Sequence, residues 1–304
     1  MIGATTEEST TGTTPAGRPR TTPARPPVSR PRRSVVDWML LVVAAVGALA
    51  VVFPLILILL NSFKSPADYN SGGPLQLPTH LYFHGISTFW HQVDFPQKLW
   101  NSIFISGMVA ILGVVISVLN AYALGVGRVR GRLPLLVVFL LANMLPQEAL
   151  LYPLYNLFKS IGLYDSRWSV VIVFTVIQSA FGTYLLASVY STFPKELLEA
   201  AAMDGAGSWR TLWRVVVPVS KQTLSVLLIF FFIWTWNEFL IPVTFLVSND
   251  KQTIPLAVAS LQGEHMADIT TTSASALLGL IPTLVFFLLF QRTLTRGVTA
   301  GAIK

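Results

Sequence analysis

Six apolar runs punctuate the chain, at residues 35–60, 103–126, 133–158, 170–189, 224–247 and 274–290. Each is long enough to cross the hydrocarbon core of a bilayer as a helix, which takes about 20 residues. The runs are continuous rather than alternating, unlike the short two-faced strands of a membrane barrel. In lipid, a helix satisfies its own backbone groups without water. The pattern predicts an all-α integral membrane protein with six transmembrane helices.

Composition agrees. The 304 residues are 53% hydrophobic and 12% charged, with mean hydropathy +0.63, whereas about a quarter of a soluble domain is charged. The formal net charge of +7 comes from basic residues that flank the apolar runs, which fits anionic headgroups and membrane topology and leaves no basic face for nucleic acid. With no cysteine, disulfides, thiolate catalysis and cysteine metal sites are excluded. Residues 1–34 are rich in Thr, Pro, Gly and Arg and have too little apolar surface to offset ordering entropy, so a disordered tail is expected. The run after it is either a signal anchor or a cleaved signal peptide; its length and the lack of a small-residue cleavage pattern favour the anchor.

Lys and Arg are retained on the cytoplasmic side of a membrane. With the N-terminus inside, sixteen of the 21 basic residues fall in the tail, the loops after the second and fourth spans, and the C-terminus. Both ends are therefore expected in the cytoplasm. Trp90, Trp100 and Trp168 then sit near outer boundaries, where aromatic belts form. Within the second span, Gly113, Ser117, Ala121 and Gly125 recur every four residues and put a small-residue stripe on one face, for close packing or for a sliding gate.

The fourth and fifth spans are joined by an inner loop, 192–220, holding "TFPKELLEAAAMDGAGSWRTLWRVVVP". Pro194 suits a first helical position and Glu196 the positive end of a helix dipole. Gly205 and Gly207 supply a stop. A second helix is expected from Ser208, with Trp209 and Trp213 one turn apart, until Pro218 breaks or redirects the chain. Such a small-residue helix either docks in a groove on a soluble partner or lies in the headgroup layer. Within the spans, Asn237 and Glu238 interrupt the fifth, and Gln147 and Glu148 follow Pro146 in the third. Intramembrane polar groups are pathway candidates, while capping or pairing between helices is the plainer alternative. The outer loop 248–273 is either a partner contact or a solvated connector.

Enzyme chemistry finds no support. No Gly is followed by Lys, so the phosphate loop G-x-x-x-x-G-K-[ST] is missing, and His80, His84, His91 and His265 form no H-E-x-x-H motif. No metal site is expected.

The spacing Glu199-Ala200-Ala201, then Gly205, then Val215 and Val217-Pro218, resembles the EAA loop of permease subunits in bacterial binding-protein-dependent ABC importers. Val215 and Val217 replace the usual Ile and Leu. The stretches "LYPLYNLFKSIGLYDS" (151–166), "WNEFLIPVTFL" (236–246) and "FQRTLTRGVTAGAIK" (290–304) look like the carbohydrate branch, the MalG-like family. The resemblance covers residues 35–304 and implies the ABC importer type I permease fold in a bacterial inner membrane. It implies sugar import by ATP-driven alternating access, with a di- or oligosaccharide as substrate; other solute classes, such as polyol phosphates or peptides, and a membrane scaffold are the alternatives. The implied partners are a homologous permease, two ATPase subunits that bind ATP and Mg, an extracytoplasmic sugar-binding protein and membrane lipid. By the same analogy Glu199 pairs with a basic residue of the ATPase, Ala200 and Ala201 permit close docking, and Gly205 makes a turn that admits no side chain. Asp204 supports that turn, the C-terminal residues reach toward the ATPase pair, and the outer loop reaches into the binding protein.

Overall fold

A computed structural model describes residues 35–127, 129–264 and 268–302, with side chains omitted at 261–264 and 293–302. The expected tail, Arg128, His265 and the end of the C-terminal stretch lie outside the described residues. All regular elements among the described residues are helical. They are α1 (Val35–Ser62), α2 (Pro66–Gly72), α3 (His84–Gln92), α4 (Phe95–Gly125), α5 (Arg132–Asn143), α6 (Gln147–Ser160), α7 (Arg167–Ser191), α8 (Lys195–Met203), α9 (Ser208–Thr211), α10 (Val217–Trp236), α11 (Leu240–Phe245), α12 (Ile254–Glu264) and α13 (Ile269–Ala302). A π-turn at Leu212–Val216 and a 3-10 turn at Asn249–Lys251 complete the set.

Contacts divide the chain within α1, into 1–50 and 51–304. The described part of the first unit is a single apolar helical stretch; the second holds the bundle. Five helices are long and apolar enough to span a membrane, and the bent pair α5 and α6 makes a sixth if taken as one span. The third span is thus not one straight helix: its halves meet at 93°. The break falls before Pro146, whose ring disfavours helical conformation in the residue before it.

The fifth span also departs from expectation. It begins in the inner loop, because α9, the π-turn and α10 form one continuous helix from Ser208 to Trp236. Pro218 was expected to break or redirect the chain, yet it lies in the first turn of α10. A proline there lacks the N–H that would bond the carbonyl four residues back. The preceding π-turn instead bonds the Val217 N–H to the Leu212 carbonyl, five residues back, and carries the helix past the proline.

At the centre α4 packs along α7, with α10 across them. Val118, Ala121 and Leu124 of α4 meet Leu186, Ala187 and Tyr190 of α7, all buried. The two helices run parallel: Asn101 near the start of α4 meets Arg167 at the start of α7, while Gly125 at the end of α4 meets Tyr190 near the end of α7. Ser117 and Gly125 of the small-residue stripe lie against α7, Ala121 is in the same cluster and Gly113 faces Phe231 of α10, so the stripe is a packing surface. A β-carbon on Gly125 would stand 2.6 Å from that of Tyr190 and 3.2 Å from the Ala187 carbonyl oxygen, so only glycine permits this approach.

Gly125→Ala is therefore expected to lower thermal stability in detergent by about 1–3 kcal/mol, the usual cost of overpacking a close contact. Gly107→Ala on the same helix, where a β-carbon meets nothing within 4 Å, serves as the control. Equal melting temperatures for the two variants would rule out the close-approach account.

Candidate functional site

The inner loop folds into a short helix, a tight stop and a return. Pro194 is the residue before α8 rather than its first, one position earlier than expected, and Glu196 lies in the first turn. The stop is a Schellman motif. The Ala206 N–H donates to the Ala201 carbonyl at 2.9 Å and the Gly205 N–H to that of Ala202 at 3.0 Å, with Gly205 at φ +71°. Asp204 contributes through its backbone, its N–H donating to the Ala200 carbonyl at 3.0 Å. Gly205 is required by its left-handed conformation and not by crowding, since a β-carbon there meets nothing within 4 Å in this chain.

Burial divides the motif. Glu199, Ala200, Asp204, Gly205 and Pro218 are exposed, whereas Ala201 is buried at 7%. Ala200 is open, whereas Ala201 is turned toward its own chain, where Leu198 packs against the cluster that holds Leu212 and Val216. Met203, 85% exposed, and Trp209, 67% exposed, extend the open side. Trp209 and Trp213 meet edge to face, with ring centroids 5.6 Å apart.

The polar interruptions gather at the two breaks. Asn237 and Glu238 lie in the short break between the end of α10 at Trp236 and the start of α11 at Leu240. The Asn237 side-chain amide donates to the Ile233 carbonyl at 2.7 Å, capping the helix end. Asn237 also lines a cavity of about 390 Å³ with Trp236, Pro255, Ala276 and Thr283. Glu238 is half-buried, and its carboxylate interacts electrostatically with the exposed Glu148. Gln147, half-buried, opens α6 beside Glu148.

At the opposite end from the inner loop lies a polar clamp absent from the sequence reading. Asp165, left-handed at φ 56°, accepts from the backbone N–H groups of Val247 and Ser248 at 3.0 Å each, from the Ser248 hydroxyl, and from Lys251 Nζ at 2.9 Å. Buried Asn101 donates to the carbonyls of Asp250 and Gln252 at 2.8 and 2.9 Å, and buried Lys98 donates to Asn249. The first part of the outer loop is therefore pinned to the bundle and is not a loose connector. Asp165 lies in the quoted stretch 151–166, but its partners are 82 or more residues away, so local pattern gives no sign of them.

Residues 123–299 match the family described as "Binding-protein-dependent transport system inner membrane component". The chain belongs to this family. The permease is 31% identical over 273 residues to the lactose transport system permease protein LacG of Rhizobium radiobacter, covering 90% of this chain and 98% of that one. It is 30% identical over 274 residues to the trehalose transport system permease protein SugB of Mycobacterium tuberculosis, with the same two coverages. Its fold matches the crystal structure of a bacterial ABC transporter involved in the import of the acidic polysaccharide alginate, with TM-score 0.72, 24% identity, and 86% of this chain and 99% of that chain covered. The permease is a multi-pass inner membrane protein and a transport subunit rather than an enzyme.

Burial raises the Asp165 carboxyl, but hydrogen bonds from the Ser248 hydroxyl, Lys251 and the Ser248 backbone, with the Lys251 charge, outweigh it and hold the group at about 2 against an ordinary 3.8. A lowered folded value gives stability that is complete above the unfolded value and lost as pH falls through the folded one. Asp165→Asn keeps the left-handed conformation and removes the charge. At pH 7 it should cost about 2 kcal/mol, and the gap from the unaltered permease should close as pH falls from about 4 toward 2. Thermal unfolding across that range checks this; a gap unchanged at the acid end would show that the carboxylate's charge is not its source.

Proposed function

We propose that the permease carries a sugar, a di- or oligosaccharide, into the cell by ATP-driven alternating access. Both termini and the inner loop face the cytoplasm, as the distribution of Lys and Arg favours. A homologous permease completes the pathway, two ATPase subunits bind ATP and Mg, and an extracytoplasmic binding protein delivers the sugar. The lactose and trehalose in the relatives' names are disaccharides, which supports this substrate class.

One observation carries the mechanism: an exposed, Schellman-terminated helix joined by four residues, Asp204 to Gly207, to a continuous helix from Ser208 to Trp236 that is long and apolar enough to span a membrane. Glu199, Ala200, Asp204 and Gly205 form the face that docks on the ATPase, and Pro218 lies within the continuous helix that leads away from it. ATP-driven closure of the ATPases moves α8, and the helix from Ser208 to Trp236 carries that displacement as a rigid rod. The bundle thereby exchanges an inward-open for an outward-open cavity, which requires the ATPase to bind the two states with different affinity. Gln147, Glu148, Asn237 and Glu238 border the pathway at the breaks, where backbone interruptions need water or protein partners.

The test is uptake of labelled lactose, maltose, trehalose, cellobiose and chitobiose in a deletion strain carrying the permease, Gly205→Arg or Gly205→Ala. One sugar's uptake should return with the unaltered chain. Gly205→Arg should insert in the membrane yet lose uptake at least ten-fold. Gly205→Ala, which carries the backbone strain without the bulk, should lose less. Normal uptake by Gly205→Arg would reject the docking face; no dependence of any sugar on the chain would reject the sugar class and move the panel to polyol phosphates and peptides.

A further inference from the structure

The inner loop leaves the bundle after Tyr190 and re-enters at Ser220, and these two residues meet. Both are buried, at 1% and 6% exposure, and their hydroxyl oxygens are 3.2 Å apart. The Ser220 hydroxyl donates to the Val216 carbonyl at 2.6 Å, which commits its proton. Tyr190 is therefore the donor in the pair and Ser220 the acceptor. Val216 is the last residue of the π-turn, so this two-bond chain runs from the end of α7 to the segment that carries the helix past Pro218.

Tyr190 also presses on α4, since its β-carbon and backbone lie against Gly125. Three spans thus converge on one side chain: α4 through Gly125, α7 through its own backbone, and α10 through Ser220. Leu198 and Phe193 of the loop pack on the same cluster. Apart from apolar packing in this cluster, the hydroxyl pair is the contact by which α7 and α10 hold each other at the base of the loop, so its loss would let displacement of α8 reach α10 more than α7.

We propose that the Tyr190 hydroxyl is a positioning group that clasps the base of the inner loop, so that α7 and α10 move together when the loop is displaced. This rests on the transport reading above, and it assigns the pair Tyr190 and Ser220 a role in coupling that touches neither substrate nor ATPase. Tyr190→Phe removes the hydroxyl and keeps the ring that fills the space against Gly125. Ser220→Ala removes the acceptor.

Two measurements test the clasp, on the complete transporter. In the first, sugar transported per ATP hydrolysed is measured in proteoliposomes for Tyr190→Phe, Ser220→Ala and the double variant. Each single variant should lower the ratio about five-fold, the effect of one buried neutral hydrogen bond of about 1 kcal/mol, with ATP hydrolysis itself preserved. The double variant should be no worse than the singles, since both remove one bond. An unchanged ratio, or losses that multiply, would overturn the proposal.

The second measurement needs no substrate. The permease has no cysteine, so spin labels at Val189→Cys and Val219→Cys, both exposed, report the spacing of the loop's two ends once partner cysteines are replaced. A single narrow distance should persist with and without ATP, and Tyr190→Phe should broaden it. Equal widths would overturn the clasp even in a complex that transports some other solute, whereas a narrow distance lost in Tyr190→Phe, in a complex that takes up no sugar, would reject only the sugar assignment.

Discussion

The parallel contact between α4 and α7 is the constraint on which the rest of the structure depends. In a bilayer the hydrophobic effect does not drive one apolar helix against another, so association comes from close packing and polar contacts. Ser117, Ala121 and Gly125 give α4 a face with almost no relief, and α7 settles on it so closely that the last step of the stripe has no room for a methyl group. Ser117 adds a polar contact, donating to its own helix at Gly113 and reaching the Ser179 carbonyl of α7 at 3.3 Å. With these two helices fixed, α10 packs across the seam through Leu227 and Phe231.

The two ends of this frame differ in kind. At one, Asn101, Lys98 and Asp165 hold a loop by a dense set of hydrogen bonds, a mode that survives contact with water because many bonds share one geometry. At the other, apolar packing and a few buried hydroxyls hold the base of a protruding loop whose outer face is open. The broken spans lie between, with carboxylates where the backbone is interrupted, as expected where irregular backbone in a membrane must find partners other than lipid.

Much of the fold was legible in the sequence because the bilayer imposes a length that few other environments require. The six apolar runs, the bend before Pro146 and the stop at Gly205 follow from local chemistry alone. The helix from Ser208 was legible, but its continuity with the fifth span was not, since Pro218 reads as a break and nothing local marks the π-turn that carries the helix past it. The inward turn of Ala201 depends on which face α8 offers to its own bundle, and adjacent alanines carry no periodic signal of that. The Asp165 clamp joins residues far apart in the chain, and no single-sequence pattern encodes such pairs.

The π-turn at Leu212–Val216 has an effect on helical phase. A π-turn holds about one more residue than the same length of α-helix, and each residue of an α-helix turns the chain by about 100°. The direction in which α10 presents Leu227 and Phe231 relative to the loop helix is therefore set by a single surplus residue. Deleting one residue from this turn would rotate α10 by about 100° relative to α9, taking Leu227 and Phe231 out of register with α4 or α9 out of register with the loop. The segment works as a phase lock: α9 and the buried face of α10 keep their relative orientation only while the turn between them keeps its residue count.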